Sequence, residues 1–373
     1  MEYKKIKLKE IANINMGQSP KGSSYNNKHK GVPFLQGNKT FGRLYPTIDT
    51  WTTEPTKIGK TESILMSVRA PVGDLNIANQ DVCIGRGLCS IEMKNKNNKY
   101  LYYVLMNSMQ EIKRKSTGTV FDSINKNELE EIEILNFKED QQNKILDILF
   151  KIDKKIELNN QINDNLYEIM HLKFDEWVES LKDYEISNLS SIANYKNGLA
   201  MQKYRPENEI GLPVIKIKEM NSGVSAETER CKSNINPEVI INNGDVLFAW
   251  SGTLCITIWD SGKAGLNQHI FKVTSDKYPK WFYYFWTLKH LDKFIQIAAG
   301  KATTMGHIKR GELDSSKVLI PSSEELNKMN QIMLPMLDKY IENKLENKNL
   351  EQLRDTLLPK LMNGEIDLDK IEI

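Results

Sequence analysis

The sequence predicts an α+β fold in which two mixed α/β globules are separated by two long antiparallel coiled-coil helices, the whole chain being a pseudo-two-fold tandem repeat. Three observations predict it: a phrase that occurs twice, two stretches of helical periodicity almost without glycine, and a charge sign that alternates along the chain. The phrase is "EIANINMG" at 10–17 and "SIANYKNG" at 191–198. Tyr3, Leu8, Ile11, Ala12, Asn13 and Gly17 correspond to Tyr184, Leu189, Ile192, Ala193, Asn194 and Gly198. Further matches follow in the same order, as a duplication requires and a chance match does not. "GVPFLQG" at 31–37 faces "GLPVIKI" at 211–217, and "ILMSVRAPVG" at 64–73 faces "VLFAWSGTLC" at 246–255. Tyr102 and Tyr103 then face Tyr283 and Tyr284, Gly118 faces Gly300, and "IDKKI" at 152–156 faces "LDKYI" at 337–341.

Each copy divides in two. Residues 1–137 and 184–321 mix short β-rich runs, such as 64–68 and 246–250, with Gly, Pro, Asn and Ser punctuation, the pattern of a mixed α/β globule. Residues 138–183 and 322–373 hold the helices. The first, over 139–177, puts Ile145, Ile148, Leu149, Ile152, Ile156, Ile162, Leu166 and Ile169 on one stripe. The second, over 323–363, does the same with Leu326, Met333, Leu337, Ile341, Leu345, Leu353, Leu357 and Leu361. Pro335 is expected to kink that helix or delay its start, and Gly364 to end it. About 39 residues at 1.5 Å each make a helix of roughly 58 Å, which needs a partner, and the simplest partner is its own duplicate.

A chain of 373 residues is long enough for two domains, and 40% hydrophobic with 27% charged residues is the composition of a globular protein. "MEYKKIKLKE" lacks the apolar core of a secretory signal and no apolar run is long enough to span a bilayer, so a cytoplasmic location without a membrane partner is expected. Cys83, Cys89, Cys231 and Cys255 are too scattered for a disulfide scaffold or a metal knuckle and are expected as buried free thiols. The net charge of +2 is unevenly placed. Residues 1–137 hold 20 basic and 14 acidic side chains and 184–321 hold 17 and 13, whereas each helical part holds 7 and 11. Two positive globules on negative helices suit a DNA binder with two contacts, because neutralising phosphates supplies much of the affinity.

The motifs of an enzyme are missing. "IGKT" at 58–61 imitates the end of a phosphate loop, but Glu54 stands where that loop needs glycine, so a turn is expected. "ENKLENK" at 342–348 contains a spelling used by nucleases but falls on the long helix, where a solvated face is expected. The chain contains no Pro-Pro for an amino-methylation loop and no glycine fingerprint for a nucleotide. His29, His171, His269, His290 and His307 have no metal spacing. Neither a metal nor a cofactor is expected.

Five stretches stand in a telling order: "LKEIANINMGQSPKGSSY" at 8–25, "ILMSVRAPVGDLNIANQDVCIGRGLCSI" at 64–91, "EDQQNKILDILFKIDKKIE" at 139–157, "LKFDEWV" at 172–178 and "LRDTLLPKLMNGEI" at 353–366. With them the chain resembles the specificity subunit of type I restriction-modification systems. The resemblance implies a subunit without catalytic activity that reads a bipartite double-stranded DNA target. Its implied protein partners are two methyltransferase subunits and, where the complex also cuts DNA, restriction subunits acting as nuclease and translocase. The globules then become target recognition domains and the helices become the grip for the methyltransferases, with Ile145, Leu149, Ile152, Ile156, Leu337, Ile341 and Leu345 as candidate contacts. An autonomous DNA-modifying enzyme lacks the motifs of its chemistry, and a coiled-coil scaffold for two protein-binding domains does not predict two positive globules.

Candidate DNA contacts are polar residues in loops that follow apolar strands, since strands fix position and loops reach the groove. In the first globule these are Lys21, Tyr25, Gln36, Asn38, Arg69 and Arg86, the arginines suited to guanine and the amides to adenine. In the second they are Lys203, Lys216, Lys218, Ser251, Gln268, His269, Thr304 and Lys309.

Overall fold

The structure, a computed structural model, describes residues 5–116, 122–207, 211–300 and 306–370. Thr304, Gly118 and Tyr3 lie outside the described residues. The chain forms two compact units, one of residues 1–157 with 350–373, the other of residues 158–349.

In the first unit a four-stranded antiparallel sheet has the order Ala12–Met16, Leu88–Met93, Ile64–Ser67, Leu75–Ile77. A second sheet of five short strands is built round the parallel pair Val32–Leu35 and Val82–Ile84. Strand Ile64–Ser67 is buried on both faces, and its alternation shows which side chain serves which layer. Ile64 and Met66 join the main core with Ile91, Leu101 and Leu105, while Leu65 joins Leu35, Val82, Ile84 and Leu88 between the sheets. That double burial is why the segment reads as an unbroken apolar run. Lys5–Lys7 pairs with Glu133–Leu135 and closes the globule just before the first long helix.

The second unit repeats this order with Asn194–Asn197, Ile270–Thr274, Val246–Ala249 and Cys255–Ile258. It repeats the parallel pair as Leu212–Ile215 with Ala264–Leu266, and the closing pair as Tyr184–Asn188 with Lys317–Pro321. Its aromatic helix Lys280–Lys289 answers Asn98–Asn107, and Tyr283 and Tyr284 are buried as Tyr102 and Tyr103 are. Burial pushes the Tyr102 and Tyr283 hydroxyls up to about 12, so both are neutral core groups. Cys83, Cys89 and Cys231 are buried free thiols and Cys255 is half-buried. Burial takes Cys89 up to about 12.

The long helices are Glu139–Ser180, of 42 residues, and Ser323–Met362, of 40. Both prolines of the second, Pro335 and Pro359, lie inside it, so Pro335 does not delay its start. Pro335 is exposed, as is Gln331 four residues earlier, so water can take up the carbonyl that the proline leaves unpaired. Gly364 ends the helix in a left-handed conformation, φ 70°, with Glu365 N–H donating to the Lys360 carbonyl at 2.9 Å.

Within the first unit, residues 139–157 run against residues 350–362 round a buried ionic cluster. Asp153, 1% exposed, accepts hydrogen bonds from Arg354 at 2.8 Å and from the Tyr103 hydroxyl at 2.7 Å. Arg43 of the globule lies 3.5 Å from the same carboxylate and bonds Glu351 at 3.0 Å. Burial, the Asp153 charge and the hydrogen bond to it together raise the Tyr103 pKa, so this hydroxyl stays a donor. Burial alone would lower Arg354, but the charge of Asp153 overrides it and leaves the guanidinium pKa raised.

Within the second unit the helix pair is antiparallel and carries a buried amide layer. Asn159 donates to Asn347 at 2.9 Å, Asn347 to Asn160 at 2.8 Å, and Asn343 to Asn163 at 3.0 Å. Such a layer pins register at some cost in stability. An insertion after Asn160 would therefore break a buried network. The "ENKLENK" charges are also not simply solvated: Lys344 pairs with Asp260 at 3.0 Å and donates to the Ile258 carbonyl, and Glu346 accepts from Asn159. Among the described residues no three or more His, Cys, Asp or Glu side chains come together as a metal site.

Candidate nucleic-acid interface

The two copies can be superposed residue by residue through their backbone hydrogen bonds. Gly17 N–H donates to Leu88 O as Gly198 does to Ile270 O, and Gln18 to Ile84 O as Leu199 does to Leu266 O. Val68 donates to Gly87 O as Trp250 does to His269 O, Gly85 to Leu35 O as Asn267 does to Ile215 O, and Ile124 to Val68 O as Ile308 does to Trp250 O. An isolated bridge joins Arg69 to Ser123 and another joins Ser251 to His307. Arg69 is thus equivalent to Ser251, Arg86 to Gln268, Gln36 to Lys216 and Ser123 to His307.

This register explains the glycine in the duplicated phrase. A Cβ on Gly17 would stand 2.2 Å from the Gly85 carbonyl oxygen and 2.7 Å from that of Leu88. One on Gly198 would stand 2.2 Å from those of Asn267 and Leu266. Only a residue without a side chain lets the first strand cross the turn that carries Arg86 or Gln268.

In the first copy Arg69 follows strand Ile64–Ser67, and Arg86 sits between two glycines on the turn from Val82–Ile84 to Leu88–Met93. Both are exposed and line one cavity of about 440 Å³ together with Lys115. Among the described residues neither guanidinium meets a hydrogen-bond or ion-pair partner. Gln36 extends the same edge: its Oε1 accepts from Ser19 Oγ at 3.1 Å, and Ser19 Oγ in turn accepts from the Arg86 backbone N–H at 3.1 Å. Lys21 is exposed on the neighbouring turn. Two candidates are committed elsewhere. Tyr25 stacks on Phe34 with ring centroids 4.7 Å apart and donates to the Pro20 carbonyl, while Asn38 donates to Asp74 at 2.5 Å.

In the second copy Gln268 and His269 occupy the turn, their side-chain nitrogens 3.3 Å apart. Lys203 and Lys309 are exposed. Lys216 pairs with Glu229 at 2.5 Å and Lys218 with Glu227 at 3.7 Å, which leaves these lysines partly neutralised. Ser251 is 3% exposed, so its own side chain presents almost no surface to a ligand. Sequence reasoning passed over Trp250. Its ring stacks on Phe271 at 5.7 Å and lies 5.9 Å from His269 and 6.3 Å from His307, and its Nε1 donates to Asn197 at 2.8 Å. The signal was the aromatic that closes "VLFAW" opposite Val68 of "ILMSV".

Only the second half of "IGKT" turns: Ile58–Gly59 is a short strand paired with Val82 and Cys83, and the turn follows at Thr61, where Lys60 donates to Asp81 and, with the Thr61 backbone N–H, keeps that carboxyl below its usual range. Of the helix residues expected to grip a partner, Ile145, Leu149, Ile156 and Leu337 are buried inside this chain. They hold the helices to their own surroundings and have no surface to offer. Ile152, Ile341 and Leu345 are half-buried. The apolar side chains with free surface on the first long helix are Leu158, Ile162, Ile169 and Leu172, between 43% and 55% exposed and on one face by their spacing.

A duplicated globule with an open loop edge in each copy, joined through long helices, is the arrangement of a DNA-specificity protein. The chain belongs to the type I restriction modification DNA specificity domain family, whose profile matches residues 1–168 and again 181–355. It is 42% identical over 155 residues to a protein of Methanocaldococcus jannaschii named as the type I restriction enzyme MjaX specificity subunit, a match covering 41% of this chain and 36% of that one. The MjaIX specificity subunit of the same organism is 25% identical over 350 residues, 83% of this chain and 78% of the other. The fold is shared with the crystal structure of a type I restriction-modification S subunit from M. genitalium, with a TM-score of 0.60, 16% identity, and coverage of 97% and 96%.

Proposed function

We propose that the chain reads a bipartite DNA target, one half-site with each globule, and positions two methyltransferase subunits on it without performing chemistry itself. In a complex that also cuts DNA, restriction subunits join the same assembly. The observation that supports this reading is the repeated loop edge, with Arg69 and Arg86 in one copy and Ser251 and Gln268 at the equivalent places in the other. Strands hold these side chains in fixed register while leaving them open to a groove, as base readout requires. The working segments are 1–137 and 184–321 as target recognition domains, with 138–183 and 322–373 as the spacer helices. No helix among the described residues is long and apolar enough to cross a membrane, and we place the complex in the cytoplasm with the DNA.

The purified chain is expected to bind duplex DNA with an affinity that falls steeply with salt. It is expected neither to methylate with S-adenosylmethionine nor to cut with magnesium. Turnover by the chain alone would contradict the reading.

The exposed face of Leu158, Ile162, Ile169 and Leu172 supports a protein partner on the first long helix. Replacing Ile162 and Ile169 by glutamate is expected to abolish co-purification of a methyltransferase subunit. The effect of each change on the chain's own stability should stay within about 0.5 kcal/mol. Undiminished co-purification would assign the grip to another surface.

A further inference from the structure

The equivalence of the two loop edges makes their differences legible position by position. Where the first copy has Arg69 and Arg86, the second has Ser251 and Gln268. Where the first has Val68 and Gly87, the second has Trp250 and His269, which pack together with His307. The backbone frame is conserved between copies while charge, size and hydrogen-bonding character all change on it. We propose that these positions make the two half-sites different: Arg69 and Arg86 read a guanine-containing pair, and Gln268 with Trp250 reads an adenine–thymine pair.

The chemistry supports that assignment. A guanidinium fork matches the O6 and N7 acceptors on the major-groove edge of guanine, and two free, exposed guanidiniums flank one cavity here. A glutamine amide offers one donor and one acceptor, the pattern of N7 and N6 on adenine. The Trp250 ring lies 5.9 Å from the His269 ring that Gln268 contacts, and such an aromatic fits the thymine methyl of the same pair, a contact that guanine–cytosine does not provide. Ser251, 3% exposed, presents almost no surface and reads nothing itself.

The inference rests on the proposed reading of DNA by both globules, and the test separates the two. The full chain is co-produced with its methyltransferase, and the methylated motif is mapped for the wild type, for the S251R/Q268R variant and for the R69S/R86Q variant. In S251R/Q268R at least one adenine–thymine position of the second half-site is expected to become guanine–cytosine, with the first half-site unchanged. In R69S/R86Q the first half-site alone is expected to lose a guanine–cytosine requirement. Methylation of the original motif by both variants would overturn the inference and leave the general reading standing. A wild-type complex that methylates no bipartite motif would overturn both. For a variant that no longer methylates, competition among duplexes with single base-pair changes decides the same question: a shifted preference at one position of the altered half-site upholds the inference, and an unshifted one overturns it. R69S/R86Q alters only exposed side chains, so one arm of the test does not depend on repacking a buried site.

Discussion

Replacing Arg69 and Arg86 together by alanine is expected to abolish sequence-specific binding through the first globule while leaving the fold intact. A good bidentate contact to guanine is worth about 1–3 kcal/mol, so two lost contacts weaken specific binding by between about thirty-fold and about 10⁴-fold. Both side chains are exposed and pair with nothing among the described residues, so the melting temperature should hardly move. Titration of a labelled duplex carrying the methylated motif, beside one with the first half-site scrambled, measures the effect. The variant should no longer distinguish the two. Loss of affinity for both duplexes in equal measure, with discrimination preserved, would show that the arginines meet phosphates rather than bases.

Replacing Asp153 by alanine is expected to produce the largest loss of stability of any single change considered for this chain. The carboxylate is buried and accepts from Arg354 and Tyr103, with Arg43 close by. Removing it leaves partly buried positive charge without its counter-ion and a buried hydroxyl without its acceptor. Breaking such a buried pair from one side costs about 3–5 kcal/mol. Chemical denaturation of the variant should show an unfolding free energy lowered by that much, and adding Arg354→Ala should cost less than it does in the wild type, because the two residues act as one network. A shift below about 1 kcal/mol would mean that water reaches the cluster and replaces the carboxylate.

Much of this architecture is legible in the sequence because duplication prints each signal twice. The presence of strands follows from paired apolar runs, although their order in the sheet does not, and the long helices follow from stripes in which glycine is almost absent. The glycine shared by the two phrases is recoverable as a special position, though its reason is not: the carbonyls that exclude a Cβ come from a turn about seventy residues away. Burial on the helices misleads. A stripe at helical spacing marks the face that packs, and Ile145 and Leu149 pack into this chain's own core rather than against a partner. The Asp153 cluster is hidden because its members, Arg43, Tyr103, Asp153 and Arg354, are far apart in sequence and each resembles a surface residue when read alone. Trp250 is hidden for the opposite reason, since an aromatic at the end of an apolar strand reads as core. Arg69 and Arg86 are legible as exposed side chains because loops that follow buried strands leave them free, whereas Gln268 is half-buried against His269.

The central claim is that each globule reads its own half-site, and one exchange tests it most directly. Residues 1–137 are replaced by the corresponding segment of a relative with a different target. The hybrid is co-produced with the methyltransferase, and the methylated adenines are mapped across a genome. The account predicts a motif in which the first half-site is that of the donor and the second is unchanged. A motif altered in both halves, or altered in neither, would contradict it.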